Sequence, residues 1–300
     1  MTRLIRSELL KLRTTHTWWI FALASIVMTA LALWINAEQA HQQLNPDIGP
    51  APQGADVTDQ QRADYEDYRQ QELARAAEAK TVAGLAKIAA NVYTSGQFFG
   101  LLFVMLLAIL LITNEFYHQT ATATFLTTPK RTKVIAGKLI TGTLIGLGFW
   151  VFTTLLVVAV GALYFNAEGV ANSLGQWEVQ RALLLNLLAY TLWAIFGIGV
   201  GVLIRSQIGA TITAAVLYTV GTFAALAVLQ ILYNTVLKKD WVLQSAVLIP
   251  PLASQHMISG LDFGDEIHAW PRWVGAIVLI AWAGVAGTIG TMITRRRDIS

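Results

Sequence analysis

Catalysis and metal binding need ionisable or nucleophilic side chains at fixed spacings, and this chain of 300 residues has few of them. Lys, Arg, Asp and Glu make up 13% of it and cysteine is absent. Disulfides, thiolate metal sites and thiol nucleophiles are therefore excluded. His16, His41, His118, His256 and His268 stand singly, with no HExxH or paired spacing, which argues against a metal centre. The nearest approach to a phosphate loop is Gly137-Lys138-Leu139, which lacks both a Ser or Thr after the lysine and a glycine five residues before Gly137. If ATP drives this protein, another chain hydrolyses it. Neither catalytic residues nor a cofactor is expected here.

The elements around these residues explain the scarcity. With 55% apolar side chains and a positive mean hydropathy the chain is too apolar for a soluble domain. Six runs are long enough to cross a ~30 Å hydrocarbon core as helices. They are Thr17 to Asn36, Gln97 to Asn114, Leu139 to Phe165, Ala182 to Ile204, Ile208 to Tyr233 and Trp273 to Ile293. The expected fold is an all-α integral membrane protein, with residues 1–300 forming one transmembrane domain. The first run is longer than the core of a signal peptide, so it is read as an uncleaved anchor despite Ala30-Leu31-Ala32. No Asp, Glu, Lys, Arg or His lies within the six runs. An ionisable group at that depth costs at least ~2.5 to 3.5 kcal/mol, and chains that keep one use it for proton or ion coupling. An ion-coupled carrier and an intramembrane hydrolase are both disfavoured.

Basic residues set the orientation. An even number of spans puts both termini on one side. Arg3, Arg6, Lys11 and Arg13 precede the first span, Lys130 to Lys138 follow the second, and Arg295 to Arg297 end the last. The positive-inside bias then makes both termini cytoplasmic, in a multi-pass protein of a bacterial cell membrane. Trp18, Trp19, Trp34, Trp270 and Trp273 suit interfacial belts, whereas Trp150 and Trp282 read as packing residues. The net charge of +3 is too small to imply a nucleic acid partner.

Four segments lie outside the spans. Residues 1–16 place Leu4, Leu9 and Leu12 against Arg3, Arg6 and Lys11, with Glu8 among them, as an amphipathic helix at the lipid interface. Residues 37–96 form an outer loop with a Pro/Gly lead-in. A capping box at Thr58-Asp59-Gln60-Gln61 then opens a helix striped by Leu73, Ala77, Thr81, Leu85, Ile88 and Val92, with Arg62 paired to Glu66. That helix reads either as a solvated extension of span two or as a gate or partner surface. Residues 114–138 form a cytoplasmic link, and residues 234–272 an outer re-entrant segment broken at Pro250-Pro251. Small-residue spacings at Gly142/Gly146, Gly197/Gly201 and Gly284/Gly287/Gly290 favour close helix packing. The hydroxyls of Thr211, Tyr218 and Thr222 in span five either bond back to their own helix or face a path.

Ser7-Glu8-Leu9-Leu10-Lys11-Leu12-Arg13-Thr14-Thr15, the Glu115 to Arg131 segment, Lys138 and the Pro-broken outer segment together resemble the permease subunits of ABC-2 type transporters, particularly the actinobacterial kind. The resemblance covers essentially the whole chain. In the link, Glu115, Thr120, Leu126, Pro129, Lys130 and Arg131 match the family pattern, while Tyr117 stands where Arg is usual and Gln119 where Gly is usual. The resemblance implies an exporter half, with two membrane subunits, a homodimer being preferred, working with separate ATP-binding subunits that hold ATP and Mg. The link would be the segment that docks on the ATPase, with Phe116, Phe125 and Leu126 offered to an apolar groove. Spans two and five would line the substrate path, giving Phe98, Phe99, Phe103, Thr211, Tyr218 and Thr222 as candidate lining residues. A hydrophobic or amphipathic drug, antibiotic, peptide or lipid would be the cargo. A secondary transporter, or a membrane scaffold or signalling partner, is the alternative; a scaffold needs neither the patterned link nor the broken outer segment.

Overall fold

A computed structural model describes residues 2–14, 17–53, 57–118, 131–204, 206–260 and 270–296. Helices α1 (Thr2–Thr14), α2 (Thr17–Leu44), α3 (Asp59–Ala79), α4 (Val82–Tyr93), α5 (Gln97–Tyr117), α6 (Arg131–Ala167) and α7 (Trp177–Leu203) come first in chain order. They are followed by α8 (Gln207–Leu237), α9 (Asp240–Gln244), α10 (Pro250–Ile258) and α11 (Trp273–Arg296). The described residues contain no strand. Five stretches are long and apolar enough to cross a membrane: Thr17–Leu44, Val82–Tyr117, Lys133–Ala167, Trp177–Leu203 and Gln207–Leu237. They mark a multi-pass membrane protein. In α11 the apolar stretch seen at side-chain level is Trp273–Ile289, inside a helix of 24 residues.

The contacts divide the chain into two units. The first comprises Met1–Thr29, Gly96–Thr153 and Leu184–Ser300. Its centre is α5, which is apolar all round and buried almost continuously from Gly100 to Thr113, as a helix without a polar face must be. Glycine lets neighbours approach closely. A Cβ on Gly197 would stand 2.5 Å from the Met105 carbonyl, and one on Gly201 3.0 Å from that of Ile109, so α7 packs directly on the backbone of α5. Gly142 and Gly146 of α6 meet Ile198 and the Tyr190 carbonyl of α7 in the same way. Gly284 differs from this expectation, since a Cβ there meets nothing within 4 Å. Helix α8 turns Ala210, Ala214, Tyr218 and Thr222 inward and leaves Ile208, Ile212, Val216, Val220 and Phe223 exposed, the face lipid would cover. Two π-helical turns, Leu217–Gly221 and Leu232–Leu237, interrupt it. Ahead of α10, Ile249 takes the extended conformation that a following proline imposes, and Pro250 occupies the first turn, where no backbone donor is required. The proline pair starts a helix as well as ending the preceding one.

The second unit comprises Ala30–Ser95 and Thr154–Leu183. Thr58 caps α3 by accepting from the Gln61 N–H while the Gln61 side chain accepts from the Thr58 N–H, the reciprocal box expected from sequence. Only Ala76 of α3 is buried. The outer helix does not run on into span two. It stops at Lys80, Thr81 caps a new helix through the Gly84 N–H at 3.1 Å, and Gly96, at φ 79°, separates that helix from α5. The apolar stripe divides accordingly: Leu85, Ile88 and Val92 are buried while Leu73 is exposed. Glu66 pairs with Arg69 at 3.5 Å rather than with Arg62, three residues apart being as close on a helix as four.

Candidate functional site

The densest chemistry in the first unit is a closed ring of four charges. In α1, residues 4, 8 and 12 share one face, and the structure turns that face inward. Leu4 lies over Gly137, Leu12 packs beside Leu107, Leu111 and Ile145, and Glu8 between them is 1% exposed. A carboxylate buried between leucines needs cations, and two supply them. Lys11 Nζ donates to Glu8 Oε1 at 2.8 Å and to Glu115 Oε1 at 2.7 Å. Lys138 Nζ donates to Glu8 Oε2 at 2.9 Å and lies 3.0 Å from Glu115 Oε1. Positive and negative groups alternate around the ring, and its formal charge is zero. Lys138 also reaches the Leu111 carbonyl at 3.4 Å.

Burial differs around the ring. The side chains of Glu8, Glu115 and Lys138 are 1%, 8% and 7% exposed, whereas Lys11 is 47% exposed and faces water. Burial lowers the pKa of Lys11, but the hydrogen bonds and charges of Glu115 and Glu8 outweigh it, so the net shift is upward. Ion pairs taken out of water contribute little net stability, yet removing one partner is costly because the other charge is left buried. The ring therefore fixes geometry more than it stabilises. What it fixes is the mutual position of α1, the end of α5 and the early turns of α6, and the 119–130 segment leaves from α5 and returns at α6.

The remaining sequence-predicted residues fall into three groups. Arg6 and Arg13 are exposed on α1, away from the ring; the Arg3 side chain lies outside the described ones. Phe116, half-buried, packs with Leu139 and Val202 against Ala108, Ile112 and Ile198, so here it serves the bundle. Thr120, Phe125, Leu126, Pro129 and Lys130 lie outside the described residues, as does the side chain of Arg131, which opens α6. Of the path candidates, Phe98, Phe99 and Phe103 are the half-buried residues near the start of α5. The Phe98 ring lies 4.8 Å from that of Tyr218, whose hydroxyl donates to the Phe98 carbonyl at 2.6 Å. Phe99 is edge-on to Phe98, and Phe103 faces Phe21. Thr211 and Thr222 donate back to carbonyls of their own helix.

Sequence spacing gives one sign of the ring. Glu8 sits midway along the apolar row of Leu4 and Leu12, where a carboxylate is out of place unless paired. Lys138 gives no such sign, because α6 begins at Arg131 and carries it two turns into the helix, where it is buried instead of facing solvent.

A second polar group lies in the other unit. His41 Nδ1 is 2.8 Å from Glu168 Oε1, and Asn45 donates to Glu168 Oε2 at 3.1 Å. Nearby, a cavity of about 490 Å³ is lined by Gln39, Gln42, Gln43, Glu72, Arg75, Ala76 and Ala79.

A family model described as a protein of unknown function, DUF2705, matches residues 65–300. The match takes in Glu115 and Lys138 and leaves out Glu8 and Lys11. No curated protein matches the chain.

Proposed function

We propose that this chain, which belongs to the DUF2705 family of proteins of unknown function, is the membrane-spanning permease subunit of an ATP-driven exporter. The observation that carries this reading is the ring. Glu115 and Lys138, which bracket the 119–130 segment, are tied to each other and to α1. A transporter that hydrolyses ATP in one chain and moves cargo in another must transmit displacement through a stiff contact. A link whose two ends are clamped together by buried ion pairs would pass a push on to α5 and α6 as one body. In this reading α11 is a sixth span, both termini are cytoplasmic, and the chain pairs with a second copy. ATP and Mg belong to a separate ATP-binding subunit. Phe125 and Leu126 dock on that subunit, and the Phe98, Phe99 and Tyr218 region faces the path of a hydrophobic or amphipathic cargo.

The test is reconstitution with an ATP-binding subunit, sought first among the genes that neighbour this one. The purified chain alone should bind no nucleotide, and the complex should hydrolyse ATP. Phe125→Ala with Leu126→Ala should leave membrane insertion and basal hydrolysis intact while abolishing transport and its stimulation by cargo. ATP turnover by the isolated chain, or parental transport by a normally assembled variant, would overturn the reading.

A further inference from the structure

Helix α3 is 21 residues long and polar, and Ala76 is its one buried residue, so packing through an apolar face does not hold it in place. It is tied instead to the chain that follows α2. The Tyr65 hydroxyl donates to the Gly49 carbonyl at 2.6 Å, and Lys80 Nζ donates to Asn45 Oδ1 at 3.4 Å. Between these ties α3 stands off α2. The gap is the cavity of about 490 Å³, within the range of about 300 to 1,000 Å³ usual for small-molecule sites.

Its walls select a chemistry. From α2 come the amides of Gln39, Gln42 and Gln43. Gln42 donates to Glu38 at 3.1 Å, whereas Gln39 and Gln43 have no hydrogen-bond partner among the described residues. From α3 come Glu72 and Arg75, bonded to each other at 2.7 Å. Each of that pair keeps further hydrogen-bonding positions, a second carboxylate oxygen and the other guanidinium N–H groups. Because the one cation is already paired, an anion gains little here. Ala76 and Ala79 are the apolar part of the lining, too small to make a pocket for a hydrophobic cargo or for peptide side chains. The ligand that fits is neutral, dense in groups that both donate and accept, and flat and apolar on one face. A sugar ring meets all three conditions. Its neighbouring hydroxyls match the paired donor and acceptor of an amide, and its C–H face suits the alanine methyls. Tyr68, 52% exposed and on the same stripe of α3 as Glu72, Arg75 and Ala79, adds an aromatic surface one turn away. From these observations we propose that the groove between α2 and α3 binds a neutral saccharide, held by Gln39, Gln43, Glu72 and Arg75. In the orientation proposed above the groove is extracellular, where free sugars and envelope glycans both occur. The site lies wholly within the second unit and needs neither ATP nor a second chain, so it stands or falls apart from the permease reading.

The test uses the full chain in lipid nanodiscs, free of sugar-based detergent, and saturation-transfer NMR. Maltose, cellobiose, lactose and diacetylchitobiose serve as probes, since together they present α and β linkages, axial and equatorial hydroxyls and N-acetyl groups. At least one of them should receive saturation from the protein. Gln39→Leu with Gln43→Leu should weaken that binding at least roughly tenfold, the loss of two ordinary hydrogen bonds. Ala79→Trp fills the groove without removing a polar group and should abolish binding. Glu66→Gln with Arg69→Gln breaks an ion pair elsewhere on α3 and should leave binding unchanged. Polysaccharide from the envelope of the expressing cells that displaces the bound disaccharide would support the site and mark the envelope as its source, whereas failure to displace would support it with free sugar as the source. Binding of trialanine in place of the sugars, lost in the same variants, would make the groove a peptide site and overturn the proposal. So would the absence of saturation in all four disaccharides, or sugar binding that the glutamine variant and Ala79→Trp both leave intact.

Discussion

Glu8 and Lys138 are 130 positions apart in the chain, yet a carboxylate oxygen of one lies 2.9 Å from the ammonium nitrogen of the other, with both side chains almost wholly shielded from solvent. Each is also held by a third group, Lys11 or Glu115. Such a closed set responds to charge balance more than to the loss of any one contact.

That balance gives the first prediction. Lys138→Met should destabilise the protein by about 3 to 5 kcal/mol, because two buried carboxylates are left with one half-exposed cation. Glu115→Gln combined with Lys138→Met keeps the ring neutral and should recover most of that loss. Thermal unfolding in detergent measures both. Equal losses in the single and double variants would show that the ring is not a unit.

Glycine packing gives the second. A methyl on Gly197 meets the Met105 carbonyl and the Ala108 Cβ, and backbone cannot move aside, so Gly197→Ala should cost roughly 1 to 3 kcal/mol. Gly284→Ala, with open space around the new carbon, should leave the unfolding midpoint unchanged or slightly raised. A similar response at both sites would contradict the packing of α7 on α5.

The third concerns pH. The folded-state pKa of Lys11 is raised above the usual lysine value of 10.5, so its contribution to stability is fully present below that pH and is lost as pH rises through the higher value. The stability difference between the parent and Lys11→Gln should be constant from neutral pH to about pH 10 and shrink above it. A difference that grows with pH would mean that Lys11 is not charged in the ring.

Orientation is the fourth, and the absence of cysteine makes it clean. Single cysteines at Asp64 and Asp262 should react with an impermeant maleimide in intact cells. Those at Thr127 and Ser206 should react only after the membrane is opened. Labelling at Thr127 in intact cells would reverse the orientation.

Features specified by neighbours in sequence are legible without a structure. Thr58 and Gln61 cap α3 because the box needs only four residues, and Ile249 is extended because Pro250 follows it. The unbroken apolar run from Phe98 to Ile112 announces a helix buried on every side or lying in lipid. The ring is half legible. Glu8, midway along the apolar row of Leu4 and Leu12, is out of place there unless paired, and Lys11 is one of the residues that answers. Lys138 reads as a solvent-facing topology marker because nothing local reveals that α6 starts seven residues earlier. The same holds for Gly284, whose spacing matches that of the packing glycines although its surroundings do not. Which glycine meets a neighbour is decided by a third helix, and the sequence of one helix carries no record of it.

The separation between Glu8 and Lys138 also has a consequence for biosynthesis. At a translation rate of roughly 5 to 20 residues per second, on the order of ten seconds pass between the emergence of the carboxylate and that of its deepest partner. During that interval α1 leaves the ribosome with Lys11 on the same helix as Glu8, three residues away and 2.8 Å distant in the finished ring. That pair is local enough to form within a single nascent helix, so the carboxylate need never meet lipid alone. The order in which the four charges are synthesised, 8, 11, 115 and 138, is also an order in which each new one can join the group already made, and the ring closes only when α6 has begun.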